Sequence, residues 1–200
     1  RPDPYGGLEV ATSSTQLQEL TDAVIYLVNY PFECSEQISS RVLTLAALKD
    51  VLTAFKSKDL PSAQAMQDSV AADIKRLQGL QNDDGGFDFW KQGEPSVPFL
   101  SVHVAHALVR AKEKGYAVPD RMLEKSKDYL GDIAKHIPNE YSMESRNAIR
   151  AYALYVLNLM KDPDAGEAWI LMDDAGGVDK LSLESLGWIL PTLAADPDSA

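Results

Sequence analysis

The chain contains a single cysteine, Cys34, and a glutamine, Gln37, stands three residues after it. At this spacing one turn of chain can bring a thiolate against a side-chain carboxamide. Attack of the sulfur on the carboxamide carbon, with loss of ammonia, would give an internal thioester whose acyl group an incoming amine or hydroxyl can take. The thiolate is the competent nucleophile, and the positive end of a helix dipole favours it. The pair therefore predicts an acyl-transfer site made from the protein's own side chains.

Helices are the elements that would position this pair. Apolar side chains recur at helical spacing after Gln37 and predict a helix over about 34–55, with Cys34 and Gln37 in its first turn. An earlier helix is predicted to start at Ser14 or Thr15 and to end before Pro31. The later predicted helices cover 61–80, opened by Pro61 at its first position, then 99–114, 119–137, 143–161, 165–172 and 181–193. No long alternating segment competes, so the sequence predicts an all-α fold.

The chain divides into a short extended segment and one helical domain. Residues 1–13 are rich in Pro and Gly, and they are expected to be a linker or the tail of a preceding β-domain. Residues 14–200 would form the helical domain, interrupted by a long loop over 82–98 that is rich in Asp, Gly and Pro. Helix pairs joined by short turns recur along it, which indicates stacked αα-hairpins rather than a four-helix bundle.

Composition limits the classes of function. Two hundred residues with 45% hydrophobic content can bury one sizeable core. The net charge of -11 argues against nucleic acid and against an anionic membrane surface as partners. No apolar run approaches the length that spans a bilayer, so direct membrane insertion is not expected. The lone cysteine excludes an internal disulfide framework.

Several motifs resemble one known family. Residues 30–37, which spell Tyr-Pro-Phe-Glu-Cys-Ser-Glu-Gln, and the Ile-Ser-Ser-Arg that follows are similar to the thioester-containing domain of bacterial alpha-2-macroglobulins, which are relatives of the complement proteins. The resemblance continues at 80–87, where Leu-Gln-Asn-Asp-Asp-Gly-Gly-Phe stands, at Phe89-Trp90, and at 181–188. It therefore extends over nearly the whole chain.

The resemblance implies a fold and a function. The fold would be an α/α toroid of antiparallel helical hairpins, and the chain has fewer predicted helices than a complete toroid of about six hairpins needs, so the remainder is expected beyond Ala200. The parent protein would be a broad-range protease trap. Cleavage of a bait segment elsewhere would expose the thioester, and a lysine amine of the protease would attack the Gln37 acyl carbon and release Cys34.

Further expectations follow from the same resemblance. Such acyl transfer happens once per molecule, so the protein would not be an enzyme, and it would need no cofactor or metal. Its partners would be the neighbouring domains of the parent and the trapped proteases. The family is exported, so we expect a periplasmic or extracellular location, with a parent that can carry a lipid anchor.

The resemblance also assigns residues around the predicted bond. Glu36 would shape the site between the two bonded residues. Tyr30, Pro31 and Phe32 would exclude water, because an acyl thioester persists only where water cannot reach it; their alternative role is packing between helices. In complement relatives a downstream histidine attacks the thioester. His136 lies in a comparable region and Tyr141 and Met143 follow it, so these three are candidates for transacylation or shielding.

One departure from the family pattern keeps a second interpretation open. Glu33 stands where the family usually carries glycine; a side chain restricts the turn, and a carboxylate disfavours a neighbouring thiolate. The chain could therefore be a helical scaffold without a thioester, docking against other domains of the same parent. A toroid hydrolase or cyclase is a third possibility, but it needs a converging carboxylate pair that the spacing does not show.

Two further clusters have simpler interpretations than metal binding. His103 and His106 lie three residues apart, a spacing that can bind a metal, but no matching second cluster accompanies them and they are expected to line the inner surface of the helical ring. Asp83, Asp84 and Asp88 offer oxygen ligands for Ca²⁺. Their order lacks the EF-hand pattern, and turn formation accounts better for them.

Overall fold

A computed structural model describes residues 24–27, 30, 33–54 and 62–196, with the backbone alone over 51–54. The predictions for 1–13, for the start of the first helix, for Pro31 and for Phe32 lie outside these residues; 24–27 is helical. The remaining helices are α1 (Ser35–Ala54), α2 (Ala63–Leu80), α3 (Pro98–Glu113), α4 (Asp120–Gly131), α5 (Ile133–His136), α6 (Met143–Leu159), α7 (Ala165–Asp174) and α8 (Leu183–Ala194), with a 3-10 turn at Val178–Lys180.

The predicted all-α fold is confirmed. The described residues contain no β-strand, only one isolated antiparallel bridge between Gln81 and Phe87 in the loop that follows α2. Within the same residues, no helix combines the length and the apolarity that crossing a bilayer requires.

Side-chain caps explain several helix starts. Ser62, Ser142 and Ser182 each accept a hydrogen bond from a backbone N–H three residues later, as N-cap residues do. The predicted start of α2 at Pro61 is therefore too early, because Ser62 takes the cap position and the helix begins at Ala63.

The predicted helix over 119–137 is also wrong in one respect, since it is two helices. Asp132 leaves helical geometry at φ -103° and ψ 17°, and it ends α4 and precedes α5. Periodicity alone could not locate this break, because apolar residues on both sides, Leu130 and Ile133, face the same buried cluster.

The helices form two layers. The first layer consists of α1, α3, α6 and α8, which pack side by side in that order. The second layer lies over it: α2 covers α1, α4 covers α3 and α6, and α7 covers α6 and α8. Helix α3 is buried on most of its surface, including Leu100, Val104 and Leu108, because neighbours surround it. This alternation between layers is what an α/α toroid needs, and the toroid itself stays a prediction.

A buried ion pair joins α1 to α2. Arg41 donates from Nη2 to Oδ1 of Asp73 over 2.6 Å and from Nε to Oδ2 over 2.8 Å, and both side chains are almost wholly excluded from water. The bonds to Asp73 raise the pKa of Arg41 above its ordinary value. Two-point pairing fixes the rotation of α1 against α2, and hence the direction in which the first turn of α1 faces.

Candidate functional site

The first turn of α1 folds the Gln37 side chain back onto Cys34. Cys34 precedes the helix as its N-cap residue, is buried, and donates its backbone N–H to Oε1 of Gln37 over 3.2 Å. Its carbonyl accepts from the N–H of Ile38 at 3.0 Å, which begins the helical ladder. This is one half of a capping box, and it holds the carboxamide of Gln37 beside the cysteine.

The loop between α2 and α3 clamps this turn. Ser35 is fully buried and donates its N–H to the carbonyl of Phe89 over 2.8 Å and its Oγ to the carbonyl of Asp88 over 2.7 Å. Both bonds reach across more than fifty residues of sequence. The position of the cysteine is therefore set by the loop as well as by its own helix.

The acidic part of the loop forms turns, as predicted. Oδ1 of Asp84 accepts from the N–H of Gly86 at 2.9 Å and from Oγ of Ser96 at 2.8 Å, and Oδ2 of Asp88 accepts from the N–H of Trp90 at 3.2 Å. Among the described residues, no three His, Cys, Asp or Glu side chains gather in a way that could hold a metal ion.

The side chain of Glu33, at the position where the family resemblance leads us to expect glycine, has a charged partner in α2. Its carboxylate forms an ion pair with Arg76 of α2, which offsets the negative charge beside Cys34. Both side chains are roughly half exposed, so the pair contributes little to stability.

A cleft of about 260 Å³ opens beside the turn. The predicted site residues Tyr30, Glu36 and Gln37 line it together, joined by Ser40 and by Tyr26, whose ring lies 5.5 Å from that of Tyr30. The structure thus brings one member of the predicted aromatic shield to the predicted acyl group. A small nucleophile in this cleft would face the Gln37 side chain.

The three candidates for transacylation or shielding, His136, Tyr141 and Met143, make their contacts away from this turn. His136 stacks on Tyr129 with ring centroids 4.0 Å apart, and Tyr141 and Met143 are partly and largely exposed at the start of α6. Among the residues that the structure describes, no contact joins any of the three to Cys34 or Gln37.

A different histidine reaches the motif. Nε2 of His103 lies 2.9 Å from Oγ of Ser40, and the same Oγ donates to Oε1 of Glu36 over 2.9 Å. Burial lowers the pKa of His103, and the nearby Glu36 opposes that shift. The sequence placed His103 on an inner helix face but gave no sign of this link, because Ser40 and His103 are 63 residues apart.

His103 and His106 share a tyrosine. Tyr152 of α6 places its OH 3.4 Å from Nδ1 of His103 and 2.8 Å from Nδ1 of His106. Burial, reinforced by the charge of Arg110, lowers the pKa of His106 to about 4. Trp188 of α8 stacks on the Tyr152 ring with centroids 4.6 Å apart, so the buried polar groups have an aromatic cover.

Comparison with known sequences gives relatives for nearly the whole chain. Over 174 residues, or 82% of this chain, it is 32% identical to the alpha-2-macroglobulin of Escherichia coli K12, of which it spans 10%. It is 28% identical over 98% of its length to the circularly permutated Ras protein 2 of Dictyostelium discoideum, of which it spans 5%. The chain therefore corresponds to a small part of each relative. No protein-family model matches it.

Comparison with solved structures agrees in fold. The crystal structure of Salmonella alpha-2-macroglobulin reacted with methylamine superimposes with a TM-score of 0.65 at 22% identity, covering 88% of this chain and 13% of that one. By sequence and by fold, the chain is thus homologous to a helical segment of the bacterial alpha-2-macroglobulins.

Proposed function

We propose that this chain is the thioester-bearing segment of a protease-trapping protein. The observation that carries the proposal is the contact between Gln37 Oε1 and the backbone N–H of Cys34, made by a buried cysteine at a helix start. This bond holds the carboxamide against the residue that carries the only thiol in the chain. Homology to alpha-2-macroglobulins supports the proposal independently, as does the methylamine-reacted state of the Salmonella relative.

The chemistry has two balanced steps. In the first, Cys34 Sγ attacks the carboxamide carbon of Gln37, and ammonia leaves with the proton of the thiol. In the second, the nitrogen of an incoming amine attacks the same carbon and the carbon–sulfur bond breaks, with its electron pair leaving on Cys34 as a thiolate. The nitrogen gives up one proton to a base. The product is an amide of Gln37. Each molecule reacts once, so the protein acts as a trap and not as an enzyme.

The Cys34 N–H has a defined part in this chemistry. Gln37 Oε1 would remain as the thioester carbonyl oxygen, and it becomes negatively charged when an amine adds to the carbon. A backbone donor already aimed at that oxygen stabilises the developing charge. Burial and the aromatic rings around the cleft would slow attack by water until a nucleophile is admitted.

The biological setting is a further part of the proposal. The chain would belong to an exported parent, periplasmic or extracellular, in which other domains cover the cleft until a protease cleaves the bait. A lysine of that protease would then supply the amine. Tyr30, Pro31 and Phe32 would complete the shield around the bond.

Intact mass spectrometry tests the proposal. The freshly purified chain should weigh less than its sequence by one ammonia, and methylamine should replace that deficit with one methylamine while one thiol becomes titratable. The variant Cys34→Ala should show the sequence mass and take up no methylamine. A wild-type mass equal to that of the sequence, with a thiol titratable from the start, would contradict the proposal.

One observation favours a second candidate, the scaffold without a thioester. Gln37 already has a structural task, because its Oε1 caps α1 whether or not a covalent bond forms. In that case the helical layers would only dock against neighbouring domains. The two candidates separate in the same experiment, since the scaffold would have no mass deficit and would not respond to methylamine.

A further inference from the structure

A chain of hydrogen bonds runs from α3 through α6 to the first turn of α1. It passes from Arg110 to His106, then to Tyr152, His103, Ser40 and Glu36, with donor–acceptor distances of 3.4, 2.8, 3.4, 2.9 and 2.9 Å in that order. Apart from Glu36 and Ser40, its members belong to helices that the predicted thioester motif does not include.

The direction of every bond in this chain follows from its first member. Arg110 can only donate, so Nε2 of His106 accepts and the ring proton of neutral His106 sits on Nδ1. That proton is donated to the oxygen of Tyr152, and the Tyr152 hydroxyl then donates to Nδ1 of His103. These assignments come from the hydrogen-bond pattern, which fixes the tautomers.

The last two bonds also run toward Glu36. Because Nδ1 of His103 accepts, its proton sits on Nε2 and is donated to Oγ of Ser40, and Ser40 in turn donates to Oε1 of Glu36. Hydrogen bonds that are shielded in part from water and all point the same way polarise one another, so this row of bonds holds Glu36 as its terminal acceptor. His103 is therefore a donor at this site rather than a base.

Glu36 lines the same cleft as the Gln37 side chain, at which an attacking amine must lose a proton. It lines the 260 Å³ cleft together with Gln37 and Ser40, and Ser40 engages only one of its two carboxylate oxygens. When an amine adds to the Gln37 acyl carbon, its nitrogen becomes positively charged and must lose a proton. A fixed carboxylate one residue away on the same helical turn is suited to take it.

Resting on the proposed function, we infer that Glu36 is the proton acceptor for nucleophilic attack at Gln37, and that Ser40 and His103 are positioning residues that aim it. The nitrogen–carbon bond forms, the carbon–sulfur bond breaks with its electrons on Cys34, and the nitrogen proton passes to the carboxylate of Glu36. Burial keeps His103 neutral near pH 7, because it lowers the pKa of the ring, as the one-way chain requires.

Rates of methylamine incorporation test this inference, with the mass deficit measured first in every variant. Glu36→Gln should keep the deficit and react about 100-fold more slowly, which is the scale of general-base contributions. The matched control is Glu144→Gln, because Glu144 is the first-turn acid of α6 and lies at the surface away from the chain of bonds. It should react at the wild-type rate.

Two substitutions of His103 distinguish positioning from simple support of the fold. His103→Gln retains a nitrogen donor toward Ser40 and should react within a few-fold of wild type, while His103→Leu should slow by about tenfold or more. Equal rates for the Gln and Leu variants would overturn the positioning role. The rates of the two variants are compared under conditions in which both are equally folded, as judged from their unfolding midpoints.

The remaining outcomes are also decisive. A Glu36→Gln variant that keeps the deficit and reacts at the wild-type rate would overturn the inference while leaving the thioester in place. A folded Glu36→Gln variant without the deficit would assign Glu36 to making the bond rather than to consuming it, and would likewise overturn the inference. A wild-type chain without the deficit would remove the proposed function itself.

Discussion

Oε1 of Gln37 accepts a hydrogen bond from the backbone N–H of Cys34 over 3.2 Å, so one side chain both caps a helix and holds its carboxamide beside the cysteine. These two tasks use different atoms of the same group. The cap needs only the oxygen, whereas thioester formation also needs the nitrogen to leave as ammonia. Substitutions at Gln37 can therefore separate them.

Gln37→Glu should abolish methylamine uptake without weakening the fold. A carboxylate keeps the oxygen that caps α1 and suits the positive end of the helix dipole, but it has no amide nitrogen to lose. Gln37→Ala should lose both functions and lower the free energy of unfolding by about 1 kcal/mol. Urea denaturation and thiol titration of the two variants measure the difference, and equal destabilisation by both would argue against the capping role.

Glu33→Gly, which restores the residue usual in the family, should leave the mass deficit and the methylamine reaction unchanged. The reason is that the charge of Arg76 offsets the carboxylate of Glu33 beside Cys34. Intact mass before and after methylamine provides the comparison. If the deficit appears only in the glycine variant, Glu33 has disabled the thioester and the scaffold interpretation is correct for the natural sequence.

Gly85→Ala should destabilise the loop that clamps the site. Gly85 has φ +92°, and an added Cβ would collide with the backbone carbonyl of Lys125. We expect a loss of about 1–3 kcal/mol in the free energy of unfolding, together with slower or incomplete thioester formation.

Gly79→Ala is the matched control for this loop substitution. Gly79 lies inside α2 with open space around its Cα, so alanine should raise the free energy of unfolding by roughly 0.5–1 kcal/mol through its better helix propensity. Thermal or urea unfolding of both variants provides the test. Similar effects of the two substitutions would contradict the steric argument for the loop.

Stability should fall as the pH drops from about 6.5 to about 4. His106 has a folded-state pKa of about 4, and its ordinary value is 6.5, because burial disfavours its charged form. In that interval the unfolded chain binds a proton that the folded chain does not, so acid favours unfolding by roughly 2–3 kcal/mol across the window. The lowered pKa of His103 acts in the same direction.

Urea midpoints measured between pH 7 and pH 4 test this dependence. His106→Gln should have a lower midpoint at pH 7, because Tyr152 and Arg110 lose their shared partner, but a shallower decline toward pH 4. A variant whose decline is as steep as that of wild type would show that other groups cause the acid sensitivity.

Local patterns predicted most of the fold because helices are local structures. The helix predicted over 34–55 is found at Ser35–Ala54, and the loop after α2 lies where the Asp, Gly and Pro residues indicated. The errors are at Pro61 and Asp132, where one cap and one break decide the boundary. Hydrophobic spacing carries no information about either.

The candidate site was predictable only in its sequence-local part. Cys34, Glu36 and Gln37 lie in one turn, so their spacing was enough to group them. The ion pair of Glu33 with Arg76 and the link from Ser40 to His103 depend on how α2 and α3 pack against α1. Such contacts follow from the arrangement of the layers, which periodicity does not specify.

The two bonds from Ser35 to the carbonyls of Asp88 and Phe89 also set an order of events during biosynthesis. A ribosome makes the cysteine and glutamine long before it makes the loop that holds their turn. Until that loop has been made and has docked, the turn lacks its clamp and the thiol lacks its cover. A bond made only in the clamped turn would form after folding, which would protect the nascent chain from acylating itself or its neighbours.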